Sequence, residues 1–400
     1  MGQRAGARVA AVRVHRRILP PGAYPRRRTA RACGRGDPGA ERAMQTSDIL
    51  SHRLHNQQLS RSAFDRPSDV VAWLGAVQAQ DYSGAKWALG QRVPGATDAS
   101  VERAFADGAI LRTHLMRPTW HFVAPADIRW MLGLTGPRVN AVNAYYYRAL
   151  GLDEPVFKHG QAVLTRALAG GRDLTRRELD LALQEAGIAA KGPGLAYLVM
   201  RAELDGIVCS GPRRGKQFTY VLLDERVPPT RPLGPDEALA ELARRYFTGH
   251  GPATLRDFVW WSGLTAADAR LGIELVGSHL VRETIDGKTY WLSPSSTPPE
   301  MPIAAYLLPN YDEYTVAYKD RGAFFDAQQA RGPRPRDREP FSPVIVVGGR
   351  VVGTWKATPK RDAVVVDSQL FVELSETARR AFAAAADRYG AFLGLPAALS

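Results

Sequence analysis

Residues 193–222 read PGLAYLVMRAELDGIVCSGPRRGKQFTYVL, and this stretch decides the fold class. Pro193 suits the first turn of a helix, and the apolar run after it provides a buried side. Strand-like residues at 207–209 and 218–222 flank the segment 211–216, which is rich in the Gly and Pro of turns. The stretch therefore predicts a helix followed by a two-stranded hairpin.

Two further helices are predicted before this hairpin. One covers 156–168, and Thr175 is the N-cap of the next, whose apolar side is marked by leucines. Three helices followed by a two-stranded ribbon make a winged helix, a variant of the helix-turn-helix. Residues 155–224 therefore predict one winged-helix unit.

The same order of elements is predicted in 235–293. Thr254 and Thr265 are N-caps of two of its helices. The dipeptide Asp286-Gly287 separates two strand-like runs and is typical of a type I′ hairpin. This segment predicts a second winged helix.

A longer copy is predicted in 46–135. Helices are expected at 49–59, 69–77, 85–92 and 101–107, and strands at 110–116 and 119–123. The turn between these strands falls at Arg117-Pro118, where Pro leaves the register uncertain.

The pattern changes after about residue 303. Strand-like runs occur at 305–309, 344–347, 351–355 and 363–367. Gly348-Gly349 is a two-residue turn between two of them, and a last helix covers 376–392. These features predict a small β-barrel with a terminal helix.

The fold class is thus predicted as α+β, with tandem winged-helix domains followed by a small C-terminal β-barrel domain. The expected boundaries are 1–43 for an Arg-rich tail, 44–150, 151–230 and 231–300 for the winged helices, and 301–400 for the C-terminal domain.

Charge is concentrated in the tail of this 400-residue chain. Residues 1–43 contain eleven Arg against Asp37 and Glu41, which is +9 of the net charge of +13 and leaves +4 for the rest. The tail lacks Ser and the apolar core of a secretory signal. We expect a disordered extension or a misassigned start upstream of Met44; a nonspecific DNA-binding arm and a targeting segment are the alternatives.

Several protein classes are excluded by what the sequence lacks. No apolar run approaches the ~18 residues of a membrane span. Cys33 and Cys209 are too few for a disulfide framework, which indicates a reducing compartment. The motifs GxxxxGK[ST], GxSxG and HExxH are absent from the sequence, and GxGxxG occurs only at 34–39, within the Arg-rich tail. His114 and His121 would face each other on the first hairpin only across an even turn, and two ligands do not make a zinc site. We therefore expect no metal and no cofactor.

Winged helices make nucleic acid the leading partner, although such domains also bind proteins. Arg213, Arg214 and Lys216 lie on the wing of the second unit, where they would contact phosphates or form an ordinary solvated turn. The aromatic run at 258–261 favours core packing over an exposed stacking surface.

Residues 75–82, GAVQAQDY, are unusual in carrying two Gln one residue apart. Gln78 and Gln80 do not share a face of a regular helix but could converge at a helix terminus; the alternative is an ordinary pair of exposed side chains. Asp81 is read as a residue that ends or caps a helix, with a general base as the alternative.

Four blocks of this sequence resemble the AlkZ-type DNA glycosylases. They are VVAWLGAVQAQDYSGAKWALGQR at 70–92, RTHLMRPTWHFV at 112–123, FVWWSGL at 258–264 and YDEY at 311–314. The similarity covers roughly 46–395. The catalytic element of that family is Gln-apolar-Gln, which assigns the role to Gln78 and Gln80; the related YcaQ-type branch has Asp where this chain has Gln80.

The resemblance implies tandem winged helices, a C-terminal β-barrel and a bacterial enzyme that removes N7-alkylated purines from double-stranded DNA. Members also unhook interstrand crosslinks, and some protect antibiotic producers from their own products. We expect a cytoplasmic, nucleoid-associated monomer without membrane contact. DNA contacts are expected from His114, Arg117, His121, Arg213, Arg214, Lys216 and Arg350, with the Gly348-Gly349 turn entering the minor groove.

The implied chemistry suits two amides. Alkylation at N7 puts a positive charge on guanine, so the base leaves as a neutral species and needs no general acid. An amide has two donors and an acceptor but takes up no proton at neutral pH. Gln78 and Gln80 would therefore orient water and the sugar by positioning and electrostatics.

Two other functions remain open at this point. A non-catalytic winged-helix transcription regulator would bind DNA without cleaving it, although no heptad run indicates a dimer for palindromic sites. A scaffold would use its winged helices to bind proteins.

Overall fold

The computed structural model describes residues 44–190, 192–294, 303–325 and 341–400. The tail at 1–43, and what its sequence predicts, lies outside the described residues. Met44–Ser400 form one compact unit. None of the helices in the described ranges combines the length and apolar character that a membrane crossing requires.

The N-terminal elements carry the Gln-Ala-Gln segment. They are α1 (Thr46–Asn56), α2 (Pro67–Leu74), β1 (Ala76–Gln78), α3 (Tyr82–Gly90), α4 (Asp98–Ala106), β2 (Leu111–His114), β3 (Trp120–Val123) and the long α5 (Ile128–Ala149). The three strands form an antiparallel sheet in the order β1-β3-β2.

The predicted helix over 69–77 is wrong at its C-terminal end. Gly75 follows the last helical residue and has a φ of +81°, a conformation that costs Gly little and other residues more. The chain therefore leaves α2 and enters the sheet as β1. The segment before Gln78 is a strand and not a helix terminus.

The second group follows the prediction closely. It contains α6 (Glu154–Leu168), β4 (Leu174–Thr175), α7 (Arg176–Glu185), α8 (Gly194–Leu204), β5 (Val208–Ser210), β6 (Thr219–Leu222) and a single turn, α9 (Leu223–Arg226). Thr175 caps α7 in a capping box with Glu178, as its position predicted. The hairpin gains a third strand, because β4 pairs with β6.

The third group contains three helices and a hairpin. These are α10 (Pro235–His250), α11 (Leu255–Ser262), α12 (Ala266–Val276), β7 (Val281–Ile285) and β8 (Lys288–Leu292). Thr254 and Thr265 cap α11 and α12 as predicted. Asp286 and Gly287 have φ values of 49° and 73°, as a type I′ turn requires, which confirms the predicted hairpin.

The C-terminal group is built on a five-stranded sheet. Its elements are β9 (Ala305–Leu308), α13 (Glu313–Val316), β10 (Val344–Val347), β11 (Arg350–Pro359), β12 (Val364–Leu370), α14 (Glu376–Leu393) and β13 (Ala397–Leu399). The order β13-β12-β11-β10-β9 leaves β13 and β9 as edges, so the sheet is a curled half-barrel. The α+β class is confirmed.

One hydrophobic core joins the half-barrel to the N-terminal elements. Trp87 of α3 packs there with residues of β9, β10 and α14, and its indole N–H donates to the Leu307 carbonyl at 2.6 Å. Beside this core, Arg92 forms a two-pronged ion pair with Asp312 at 2.7 and 2.8 Å. Both side chains are at most 1% exposed, so removing either would leave an unpaired buried charge. This pair holds 311–314 against the N-terminal sheet.

The Gly348-Gly349 turn has the predicted two-residue geometry, but one of its two glycines is packed inside the protein. Both glycines have positive φ, and Arg350 after them is exposed. Gly349 is buried, because the Tyr314 hydroxyl donates to its carbonyl at 2.7 Å and Leu50 of α1 lies against it. Gly348 and Arg350 remain open at this tip, and its entry into the DNA minor groove stays a prediction.

The two glycines of this turn provide a matched pair of substitutions. A Cβ on Gly349 would lie 2.8 Å from the Leu50 Cβ, whereas nothing lies within 4 Å of one on Gly348. We expect Gly349→Ala to lower the free energy of unfolding by about 3 kcal/mol and Gly348→Ala by about 1 kcal/mol, since only the first adds overpacking to backbone strain. Urea denaturation of both variants measures the difference, and equal losses would contradict the packing described.

Candidate active site

Gln78 and Gln80 project from the same side of a strand. Gln78 ends β1 opposite His121, and the Ala79 N–H donates to the Trp120 carbonyl at 2.8 Å, so strand pairing continues past β1. Side chains two residues apart in a strand share a face. Both amides adjoin the hairpin formed by β2 and β3, and sheet pairing brings them there instead of the predicted helix terminus. Gln78 is 6% exposed and Gln80 lies at the surface.

The hairpin formed by β2 and β3 orients both amides. Arg117 donates from Nη2 to Gln78 Oε1, and the Trp120 backbone N–H donates to Gln80 Oε1, each at 3.4 Å. Within the described ranges the two amide nitrogens form no hydrogen bond. Each side chain is thus held through its oxygen, and its N–H groups can bind an acceptor such as water or a sugar oxygen.

A buried carboxylate lies behind Gln78. The Gln78 N–H donates to Glu313 Oε1 at 2.8 Å, and the Trp261 indole N–H donates to Glu313 Oε2 at 2.9 Å. His250 Nε2 lies 3.3 Å from the same Oε2. Burial raises the pKa of Glu313, but His250 and the Gln78 N–H outweigh burial and hold that pKa below its ordinary value. Glu313 is therefore an anion at neutral pH that holds the backbone of Gln78.

The opposite side of the Gln-Ala-Gln segment is held by Arg112. Its Nε–H donates to the Ala79 carbonyl at 3.1 Å. Its guanidinium lies 4.3 Å from the ring centre of Trp120 and 4.4 Å from that of Phe218. Burial lowers the pKa of Arg112 to about 10, so it still carries its charge at neutral pH. The peptide between the two Gln is thus fixed from both sides of the sheet.

The two histidines do not face each other. His114 pairs with Trp120 and Thr113 with His121, so five residues separate His114 from Trp120 and the histidines lie on opposite faces. His114 forms a buried ion pair with Glu203 and packs on the Trp120 ring. No group of three metal-ligating residues occurs among the described residues.

His121 lies beside Gln78 as a neutral side chain. Burial lowers its pKa to about 3, and its Nδ1 lies 3.0 Å from the Thr119 carbonyl, which it contacts as a donor. It is 1% exposed and His114 4%, so neither ring reaches the surface where DNA phosphates would lie. The predicted phosphate contacts from His114 and His121 are therefore not supported by their placement.

The basic residues of the second wing differ in their partners and in their exposure. Arg213 lies 3.4 Å from Glu102 of α4, and Arg214 binds Glu178 at 2.9 Å. Lys216 is exposed at the turn. Arg213 and Arg214 are thus engaged within the protein, which leaves Lys216 as the free cation of this predicted wing within the described residues.

Asp81 has the capping role that its position predicted. It is the N-cap of α3 and accepts the Gly84 N–H at 3.1 Å, and the Asn310 amide lies 3.3 Å from its other oxygen.

The aromatic run at 258–261 is divided between core and surface. Phe258 and Trp261 are at most 1% exposed, which confirms core packing for both. Trp260 is half-buried, and the cations of Arg117, Lys319 and Arg321 surround its ring.

Sequence reasoning did not identify Glu313, Lys319 or Arg321. In the sequence, Glu313 is marked only by the two adjacent carboxylates between the tyrosines of 311–314. Nothing local marks Lys319 or Arg321, because only the fold brings them to Trp260.

Comparison with known proteins agrees with this fold. The sequence profile of the family described as DNA glycosylase AlkZ-like matches residues 71–392. An interstrand DNA cross-link repair glycosylase of Streptomyces sahachiroi is 28% identical over 353 residues, which are 81% of this chain and 89% of that protein. The solved structure of Streptomyces sahachiroi DNA glycosylase AlkZ has a TM-score of 0.74 and 23% identity, covers 90% of this chain and 100% of that chain, and shows the likeness of fold.

The family match over most of the chain defines the class of this protein, an enzyme of DNA repair. The chain belongs to the AlkZ-like DNA glycosylase family. It is therefore a DNA glycosylase, a hydrolase of N-glycosyl bonds with DNA as its substrate, and the resemblance seen in the sequence is confirmed.

Substitution of Asp81 separates capping from base catalysis. Asn caps helices as well as Asp does, so we expect Asp81→Asn to release base from methylated duplex DNA at nearly the wild-type rate. Asp81→Ala should lower the free energy of unfolding by about 1 kcal/mol through loss of the cap. Single-turnover release and urea denaturation measure the two effects. A drop of about 100-fold in the Asn variant would instead identify Asp81 as a general base.

Proposed function

We propose that this glycosylase hydrolyses the N-glycosidic bond of N7-alkylated purines in duplex DNA, using water positioned by Gln78 and Gln80. The observation that carries the proposal is that one hairpin holds the oxygens of both amides while Gln80 is exposed. The free N–H groups are then directed to water or sugar oxygen and not to protein acceptors.

The proposed reaction requires the protein to orient water but not to supply an acid. An N7-alkylated purine carries a positive charge and leaves as a neutral base, so no acid has to protonate it. Positive charge then builds on the sugar as the bond breaks. Neutral amides orient the attacking water, which contributes through positioning and not through proton transfer.

Glu313 supports this step from behind. Its negative charge is present at neutral pH because its pKa is held below the ordinary value. It is 1% exposed, and its contacts are the Gln78 backbone, Trp261 and His250. Glu313 is thus a positioning residue whose fixed charge favours positive charge on the sugar.

Unhooking of interstrand crosslinks belongs to the same proposal. The relative from Streptomyces sahachiroi carries crosslink repair in its name. A crosslinked base cannot swing freely out of the duplex into a deep pocket. The surface position of Gln80 favours a site that a base still attached to the opposite strand can approach.

The helical groups with their hairpins are proposed to act as winged-helix DNA-binding domains. The boundaries are those expected from sequence, 44–150, 151–230 and 231–300, with 301–400 as the C-terminal domain. Arg117 is the predicted DNA contact that the fold brings to Gln78, and Lys216 and Arg350 are exposed. We propose a cytoplasmic monomer that binds double-stranded DNA; a non-catalytic regulator is not favoured, because the chain belongs to a glycosylase family.

Gln78→Ala and Gln80→Ala test the role of the amides. Each should lower the single-turnover rate of N7-methylguanine release by about 100-fold, as does loss of one preorganised hydrogen-bond donor in other enzymes. Gln184→Ala, at an exposed position of α7, is the matched control and should release base at the wild-type rate. DNA affinity of both site variants should persist.

Unchanged release by both site variants would remove the amides from the mechanism. Binding of DNA without release by the wild type would favour the regulator, and absence of binding would favour a protein scaffold.

The leaving group should decide which bases are released. Because the amides supply no acid, we expect release of N7-methylguanine and no detectable release of uracil from matched duplexes. The product should be an abasic site without a covalent intermediate, since within the described residues no lysine contacts Gln78 or Gln80. Efficient uracil release, or a borohydride-trapped protein–DNA adduct, would contradict this chemistry.

A further inference from the structure

Three cations surround one half-buried indole next to the site. The Lys319 ammonium lies 4.4 Å from the ring centre of Trp260, and the guanidiniums of Arg117 and Arg321 lie 5.6 and 5.7 Å from it. The Trp260 indole N–H donates to the Val316 carbonyl at 3.0 Å, which fixes the ring. The three charges are therefore held together by one rigid surface.

No carboxylate within the described ranges forms a salt bridge with any of these three cations. Arg117 donates to an amide oxygen, and Arg321 donates from Nε to the Thr315 carbonyl at 3.2 Å. Arg117 Nε and Arg321 Nη2 are buried and have no hydrogen-bond partner. Elsewhere in the same fold, the buried Arg92 has a full carboxylate partner. Buried donors on charged groups are costly when unpaired, so this cluster lacks an anion.

Open space adjoins the cluster. Lys319 and Arg321 line a surface groove of about 680 Å³ together with Arg256 and residues of β8. Lys319 and Arg256 are exposed. The lining has one carboxylate, Asp320, which is paired with Lys288, so positive charge predominates and suits the DNA backbone.

We infer that Arg117, Lys319 and Arg321 form a phosphate clamp that binds one backbone phosphate flanking the damaged nucleotide; this inference rests on the proposed glycosylase function. Arg117 places the clamp, because it contacts Trp260 on one side and Gln78 on the other. A phosphate bound by the three cations therefore lies one side chain away from the amide that orients water.

The clamp also removes an electrostatic conflict. Positive charge builds on the sugar during bond cleavage, and three nearby cations without a salt-bridge partner would oppose it. A bound phosphate neutralises them when DNA is in place. Phosphate binding then sets the position of the lesion and leaves Glu313 as the fixed charge closest to Gln78.

Charge-removing variants of the full chain test the clamp. Lys319→Gln, Arg321→Gln and the double variant are compared with Lys158→Gln, an exposed lysine on α6. DNA binding and N7-methylguanine release are measured in parallel on a duplex with one methylated guanine. The double variant should need about tenfold more DNA for half-saturation, since hydrogen bonds to charged groups are lost. Lys158→Gln should keep the half-saturation and the release rate of the wild type.

Neutralising the DNA identifies the phosphate. Two duplexes carry a methylphosphonate on the 5′ or the 3′ side of the lesion. One of them should weaken wild-type binding about tenfold and weaken the double variant no further, because the interaction it removes is already lost. The salt dependence of binding should fall by about one phosphate in the double variant and stay unchanged in Lys158→Gln.

Fully additive losses for both methylphosphonates, or an unchanged salt dependence, would overturn the clamp. If Arg321→Gln unfolds at a lower temperature than wild type, Lys319→Gln alone decides, because its side chain is exposed. Failure of the proposed function looks different: the wild type would release no N7-methylguanine, while the binding measurements would still report on the clamp.

Discussion

The buried carboxylate of Glu313 joins three parts of the chain at one point. It accepts the backbone N–H of Gln78 from the N-terminal sheet and the indole N–H of Trp261 from α11, and it lies beside His250 of α10. Asp312, the residue before it, is bound to the buried Arg92. A buried anion is tolerated only when its partners stay in place, so the geometry of Gln78 depends on the C-terminal group as much as on β1.

Negative, neutral and positive side chains occupy separate positions around the site. An ionised carboxylate is bound to the backbone N–H of Gln78, the two neutral amides adjoin the hairpin, and cations lie around Trp260. Such an arrangement suits a reaction in which the leaving base loses a positive charge and the sugar gains one. It also explains why His121, although next to Gln78, is unsuited to proton transfer: burial lowers its pKa to about 3.

Local sequence chemistry predicted several elements closely. The capping residues Thr175, Thr254 and Thr265 begin the helices expected of them, and Asp286-Gly287 forms the expected turn. Propensity and turn chemistry act over a few residues, so they can be read from the chain. The resemblance identified the family and its Gln-apolar-Gln element, but local helical pattern misplaced that element at a helix terminus.

By itself the sequence determined the order of helices and hairpins, the family and the identity of the two glutamines. Only the tertiary structure decided how those glutamines converge, because a glycine with positive φ turns 76–80 into sheet pairing that an apolar helical pattern conceals. Tertiary packing also buries His114 and Gly349, and it brings Lys319 and Arg321 next to Trp260. Contacts between residues some 60 to 300 positions apart depend on packing, which no local pattern of side chains encodes.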